Sequence, residues 1–192
     1  MYYYKNSAIR ICEMCISDED CLNKLKNNIN DVDFFESNIY GYKALGKAIE
    51  RNFLISFKFL LKYFDVNEYN GCLTFLHLAV LYQKQTIVEI LLNQPKINIY
   101  NRAKNIHTYW SGWTAEELHF NHRINLSSPK YEIGDLLKQA RIKDRKKFHN
   151  TVLTLTYCLC RWQEVNVPME MIRAISRMLR PNKGLPKSLW NQ

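Results

Sequence analysis

Long apolar runs are missing from this 192-residue chain. Residues 53–64 carry Lys58 and Lys62, and residues 151–160 make only a ten-residue stretch, where a bilayer-spanning helix needs about 20. Residues 9–16 are interrupted by Arg10 and Glu13, unlike the apolar centre of a secretory signal. The last four residues, Leu189-Trp190-Asn191-Gln192, carry no prenylation pattern. These gaps lead to the expectation of a soluble, cytoplasmic protein with no membrane insertion, the nucleus being the other compartment open to it.

Catalytic motifs are missing too. There is no Gly-rich phosphate loop, no His-Glu-x-x-His and no nucleophile elbow. Glu116 and Glu117 are adjacent, so on a helix they point about 100° apart and do not form a carboxylate pair. His119 and His122 follow Glu116 at helical spacing. A metal trio there is weighed against histidines beside a loop insertion, with His107 near by, and the loop explanation is preferred. The six cysteines include the cluster Cys12, Cys15 and Cys21, with no second pair to complete a zinc site. Reduced thiols are expected, with no metal and no cofactor, and the chain is expected not to be an enzyme.

What is present is an uneven charge. Residues 1–70 hold nine Lys/Arg against ten Asp/Glu, residues 71–134 six against four, and residues 135–192 twelve against four. Most of the net +9 therefore sits in the last third. Lys138, Arg141, Lys143, Arg145, Lys146 and Lys147 form its densest part. Such a run suits nucleic acid, an acidic surface, or simply a solvated helical face.

A second positive feature is an internal repeat. Leu45 and Leu76, Ala48 and Ala79, Leu60 and Leu91, and Leu61 and Leu92 are each 31 residues apart. Gly41 and Gly71 precede the two first helices. The six residues Thr74-Phe75-Leu76-His77-Leu78-Ala79 are close to the signature Thr-Pro-Leu-His-x-Ala, and Ile87, Val88, Leu91 and Leu92 follow as the apolar face of a second helix. The chain resembles the ankyrin-repeat family, whose usual period is about 33. The resemblance implies an all-α solenoid with helical caps at both ends. It also implies a structural role for His77, tying backbone groups between repeats. A third, degenerate unit opens at Gly112-Trp113-Thr114-Ala115 and closes with Ile133, Leu136 and Leu137 in the places of Val88, Leu91 and Leu92. Relative to the unit before it, about nine residues are inserted ahead of its first helix and about five between its helices. Residues 121–130 are expected to form the longer loop. The expected organisation is a helical N-terminal cap or degenerate repeat at 1–35, about three repeats over 36–140, and a basic helical segment at 141–192. Ser17 with Asp18, Glu19 and Asp20 is a helix start within the cap.

In the last segment, Phe148, Val152, Leu155, Leu159 and Trp162 recur at helical spacing, with a strand over 153–157 as the competitor. Pro168 and Glu170 suit the first turn of a further helix whose apolar face is Ile172, Ile175 and Leu179, with Met171 completing the pattern. This stretch resembles the start of an F-box, which poxvirus ankyrin proteins, and those of some intracellular bacteria, carry in a short C-terminal form. That resemblance implies docking to the Skp-type subunit of a cullin ubiquitin ligase. A plain capping helix gives the same pattern. The richness in Asn, Lys, Ile and Tyr fits an AT-rich genome, hence a virus or intracellular bacterium as source.

The function expected from all this is a monomeric protein-binding adaptor, with an effector or host-range role if the source is a pathogen. Binding of nucleic acid or an acidic surface through the basic third is the alternative. The partner is expected at the repeat loops, with Tyr40, Tyr42, Tyr69, Asn70, Arg102, Tyr109, Trp110 and Trp113 as its contacts. The aromatic-rich insertion at 101–113 leads, because aromatic and Arg side chains are frequent interface hot spots.

Overall fold

The structure, a computed structural model, describes residues 7–37, 41–104, 111–121, 130–163 and 170. The chain divides into two compact units, Met1–Leu136 and Leu137–Gln192.

The first unit is a stack of helical pairs. Its elements are α1 (Ala8–Met14) with α2 (Asp18–Asn27), α3 (Ala44–Arg51) with α4 (Leu54–Leu60), and α5 (Phe75–Leu81) with α6 (Gln85–Leu92). Then come α7 (Ala115–Asn121) and the first turns of α8 (Lys130–Gln163). The first helices pack in sequence, α1 on α3, α3 on α5 and α5 on α7, and α2 packs on α4. This is the all-α architecture that the resemblance implies. The 31-residue register is the reason. Leu45, Ala48 and Leu60 are completely buried, and so, to within 2%, are Leu76, Ala79 and Leu91 at the matching places. An alanine at 48 and 79 lets neighbouring helices approach closely, and no single pair could bury its apolar face alone.

Helix starts are set by local polar chemistry. Ser17 caps α2, its hydroxyl accepting from the Asp20 amide at 3.2 Å, and Asp18, Glu19 and Asp20 fill the positive first turn as expected. Asp18 has a second task. Its carboxylate accepts from the backbone amides of Ile55 and Ser56 at 2.6 and 2.8 Å, and the Ser56 hydroxyl donates to the Asp18 carbonyl at 3.0 Å. The start of α4, which has no side-chain cap of its own, is thus capped from the preceding pair.

Between the pairs, the chain folds out into fingers. The first is closed by a bridge between Ser37 and Lys43. The second is a two-stranded antiparallel hairpin, β1 (Tyr69–Asn70) and β2 (Leu73–Thr74), with Tyr69 opposite Thr74. Gly41 and Gly71 take positive φ angles of 74° and 66°, which glycine adopts without steric cost. The Gly71 amide donates to the Gly41 carbonyl at 2.9 Å, joining the two tips.

One expectation about the following segment is corrected. At the start of α8 the buried positions are Ile133, Gly134 and Leu137, while Leu136 is half-exposed. These fall in the places of Ile87, Val88 and Leu91, one residue away from the register read in the sequence. Gly134 lies where α8 meets α7 so closely that a Cβ would stand 3.0 Å from the His119 ring. In the second unit α8 continues through the basic run to Gln163, because residues 135–163 contain neither glycine nor proline to end it. The 148–162 stretch is accordingly helix and not strand.

Candidate partner-binding face

The fingers are cross-tied by hydrogen bonds from both backbone and side chains. The Asn70 side chain accepts from the Lys43 amide at 2.5 Å, and the Lys43 ammonium pairs with Glu68. Asn70 fits there because α3 carries Gly46, where any Cβ would overlap the Asn70 amide group. Towards the next finger, the Tyr69 hydroxyl donates to the Arg102 carbonyl at 2.8 Å and the Lys104 amide donates to the Cys72 carbonyl at 2.8 Å. The Lys104 ammonium lies 3.8 Å from the centre of the Tyr69 ring, a cation–π contact.

The third finger keeps this base and changes the tip. The Ala103 amide donates to the Trp113 carbonyl at 2.8 Å and the Gly112 amide to the Ala103 carbonyl at 3.0 Å. Arg102 braces the same hairpin, its guanidinium bonding the Gly112 carbonyl and lying 3.4 Å from the Glu117 carboxylate. Where the second finger turns through two residues, Gly71 and Cys72, the third passes through nine, 104–112. Seven of the roughly nine inserted residues seen in the sequence are therefore at the tip of the hairpin.

His77 links the two fingers from below. It is buried. Nε2 donates to the Trp113 carbonyl at 2.9 Å, which leaves Nδ1 to accept from the Thr74 hydroxyl at 2.6 Å. Burial pushes its pKa below the ordinary value, against smaller opposing pulls from the Trp113 carbonyl and Glu117. The imidazole is a neutral structural strut, as the resemblance implies.

Beside the fingers, the first helices leave a cleft of about 180 Å³. Ile9 and Glu13 of α1, Gly46, Lys47 and Glu50 of α3, and Leu78 with the following Tyr82 line it, together with Tyr42 and Asn70 from the fingers. Tyr42 and Tyr82 are 43% and 40% exposed. Partial burial raises the Tyr82 phenol pKa, with Glu50 and Tyr42 adding to the effect. Lys47 bonds both oxygens of Glu50, at 3.2 and 3.0 Å.

Of the contacts expected from the sequence, Tyr42 lines this cleft. Tyr69 and Trp113 are half-buried, and Arg102 is engaged in bracing the finger. Asn70 is corrected from partner contact to internal tie, being only 3% exposed. Tyr40, Tyr109 and Trp110 lie outside the described residues, as do Pro168, Met171, Ile172, Ile175 and Leu179 of the F-box-like stretch; Glu170 is exposed. Tyr82, Lys47, Glu50 and Glu13 were not singled out in the sequence. The period would have found part of the set, since Lys47 and Leu78 are 31 residues apart on successive first helices.

His119 is on α7, edge-on to Phe120 at 5.2 Å, and not in a loop; His107 and His122 lie outside the described residues. Cys12, Cys15 and Cys21 are free and buried, with the sulfurs of Cys12 and Cys21 at 3.6 Å. Burial pushes Cys15 up to about 12. Among the described residues no group of three or more His, Cys, Asp or Glu side chains is arranged to hold a metal ion. Nor is any helix, among the described residues, long and apolar enough to cross a membrane.

Residues 11–103 match the family model of ankyrin repeats in three copies. The match begins within α1, covers α2 and the pairs α3–α4 and α5–α6, and ends at the base of the third finger, before α7. No curated protein matches the chain.

Proposed function

We propose that this chain, whose residues 11–103 are ankyrin repeats, is an adaptor that holds a partner protein on its finger face. Ankyrin repeats are interaction modules, and a protein partner is what they imply. The observation that carries the more specific proposal is the third finger. Its base is fixed by Arg102, Ala103, Trp113 and His77, while its tip is seven residues longer than that of its neighbour and includes Tyr109 and Trp110. Aromatic side chains such as these are frequent interface hot spots. The cleft between Tyr42 and Tyr82 offers a second contact on the same unit.

The test compares the wild-type chain with Trp110→Ala and with a variant whose residues 105–110 are replaced by Gly-Ser. After crosslinking in lysate, bound proteins are identified and the affinity of the leading partner is measured. A hot-spot tryptophan costs about 2 kcal/mol or more of binding when truncated. Unchanged affinity with an unchanged melting temperature removes the finger from the site. The further step, delivery of the partner to a ubiquitin ligase, is supported by the 167–179 sequence pattern alone. Mixing the chain with a Skp-type subunit at micromolar concentration and running size exclusion tests it, and separate elution refutes it.

A further inference from the structure

We infer that residues 138–150 of α8 form a ridge that lies in the major groove of double-stranded DNA.

The helix is sided. Ile133, Leu137 and Val152 are buried and, at 100° per residue, fall on one stripe. The opposite arc is exposed and carries the cations. Lys138 and Arg145 lie along one flank, and Lys143 and Lys147 along the other, about 170° away around the axis. The acid of this stretch, Asp144, falls on the buried side. Lys143, Arg145, Lys146 and Lys147 form no ion pair among the described residues. Lys143 and Lys147 stand four residues apart, a spacing at which like charges destabilise a helix. A solvated face gains nothing from that repulsion, whereas a polyanion relieves it.

The shape of the anion follows from the two flanks. A helix with cations on both sides and about 14 Å of charged length fits between two phosphate strands. The B-DNA major groove, about 12 Å wide, admits one. Between the flanks, facing the groove floor, come Gln139, Lys146 and Asn150, all exposed, the side-chain types that hydrogen-bond base edges there. An A-form RNA duplex has a major groove too deep and narrow for this. A membrane surface would require an exposed apolar face, and among the exposed residues of 138–150 Ile142 alone is apolar.

The experiment measures binding of the full chain to a fluorescein-labelled 24-base-pair DNA duplex by anisotropy, from 50 to 200 mM salt. Contact with about five phosphates gives a log–log slope near −4.5 and a loss of affinity of about 500-fold across that range. Lys143→Gln with Lys147→Gln should reduce the slope by about two. Methylation of guanine N7, an atom in the major groove, should be suppressed by the wild type. Glutamine is a good helix former, and removing like charges favours the helix, so circular dichroism should show the variants folded. The inference is overturned by any of four results. They are wild-type affinity in the quadruple variant of Lys143, Arg145, Lys146 and Lys147 to Gln, unprotected N7 positions, equal binding of an RNA duplex, or competition by poly-glutamate as effective as by DNA. The last outcome would mark an acidic protein surface instead.

Discussion

In α5, Thr74 gives its hydroxyl to His77, and His77 reaches forward to the Trp113 carbonyl of the next finger. In α7 the equivalent threonine, Thr114, meets Glu117 three residues on, and the pair closes on itself. The Thr114 hydroxyl accepts from the Glu117 amide at 3.2 Å, and the Glu117 carboxylate accepts from the Thr114 amide at 2.8 Å. That is a capping box. The two helix starts satisfy similar backbone groups, but the histidine needs a following finger to supply its carbonyl and the glutamate does not. The family match ends between them. His77 thus ties α5 to the finger that follows it, whereas the Glu117 cap needs nothing from a later finger.

The largest effect should come from the helix that sits between two neighbours. Leu76 is buried where α5 packs on both α3 and α7. Leu76→Asp places a charge in that layer and should cost about 4 kcal/mol or more, enough to unfold much of the repeat unit. Urea unfolding followed by circular dichroism reads this. A midpoint near that of the wild type would break the register on which the comparison stands.

Next comes the strut itself. His77→Ala leaves the Trp113 carbonyl without its donor and opens a space beneath the finger, at a cost of about 3 kcal/mol. Because the loss is at the joint between α5 and the third finger, hydrogen exchange should accelerate most at the Ala103 and Gly112 amides. Uniform acceleration would mean that His77 supports the core in general and not the joint.

The strut also carries a pH signature. Burial holds the folded-state pKa of His77 below the ordinary 6.5. Above pH 6.5 both folded and unfolded states are neutral there, and the stability is fully present. As pH falls, the unfolded chain takes up the proton first, so stability is lost on acidification, by at most about 1.4 kcal/mol per pH unit. Wild type should therefore lose more stability between pH 7 and 5 than His77→Gln does. Equal losses would show that other groups set the acid response.

How far the sequence led can be judged from these same elements. Leu45, Leu76 and their partners were legible because a spacing that recurs reports the core directly. The role of His77 was legible through the family signature. Two features were not. The count of inserted residues before α7 could not say which side of the hairpin they entered, and the backbone bonds between Ala103 and Trp113 decide that. The one-residue shift at the start of α8 was hidden as well, because the buried place at Gly134 carries no apolar side chain to mark the register. Asn70 misled for a related reason. Asparagine at a turn reads as exposed, but here its amide oxygen replaces a backbone acceptor for Lys43 and is covered by α3.

The smallest effect should lie at the self-closed end. Glu117→Ala removes the acceptor for the Thr114 amide and should cost about 1 kcal/mol. Glu117→Gln separates the two roles of that side chain. Glutamine keeps the capping box, since its amide oxygen still accepts from Thr114, but it loses the ion pair with Arg102, which is half-exposed and worth little after solvent screening. The Gln variant should therefore fall within about 0.5 kcal/mol of wild type. A Gln variant as damaged as the Ala variant would show that Glu117 acts mainly through Arg102. The glutamate would then be holding the third finger, as His77 does, and the contrast between the two helix starts would collapse into one shared task.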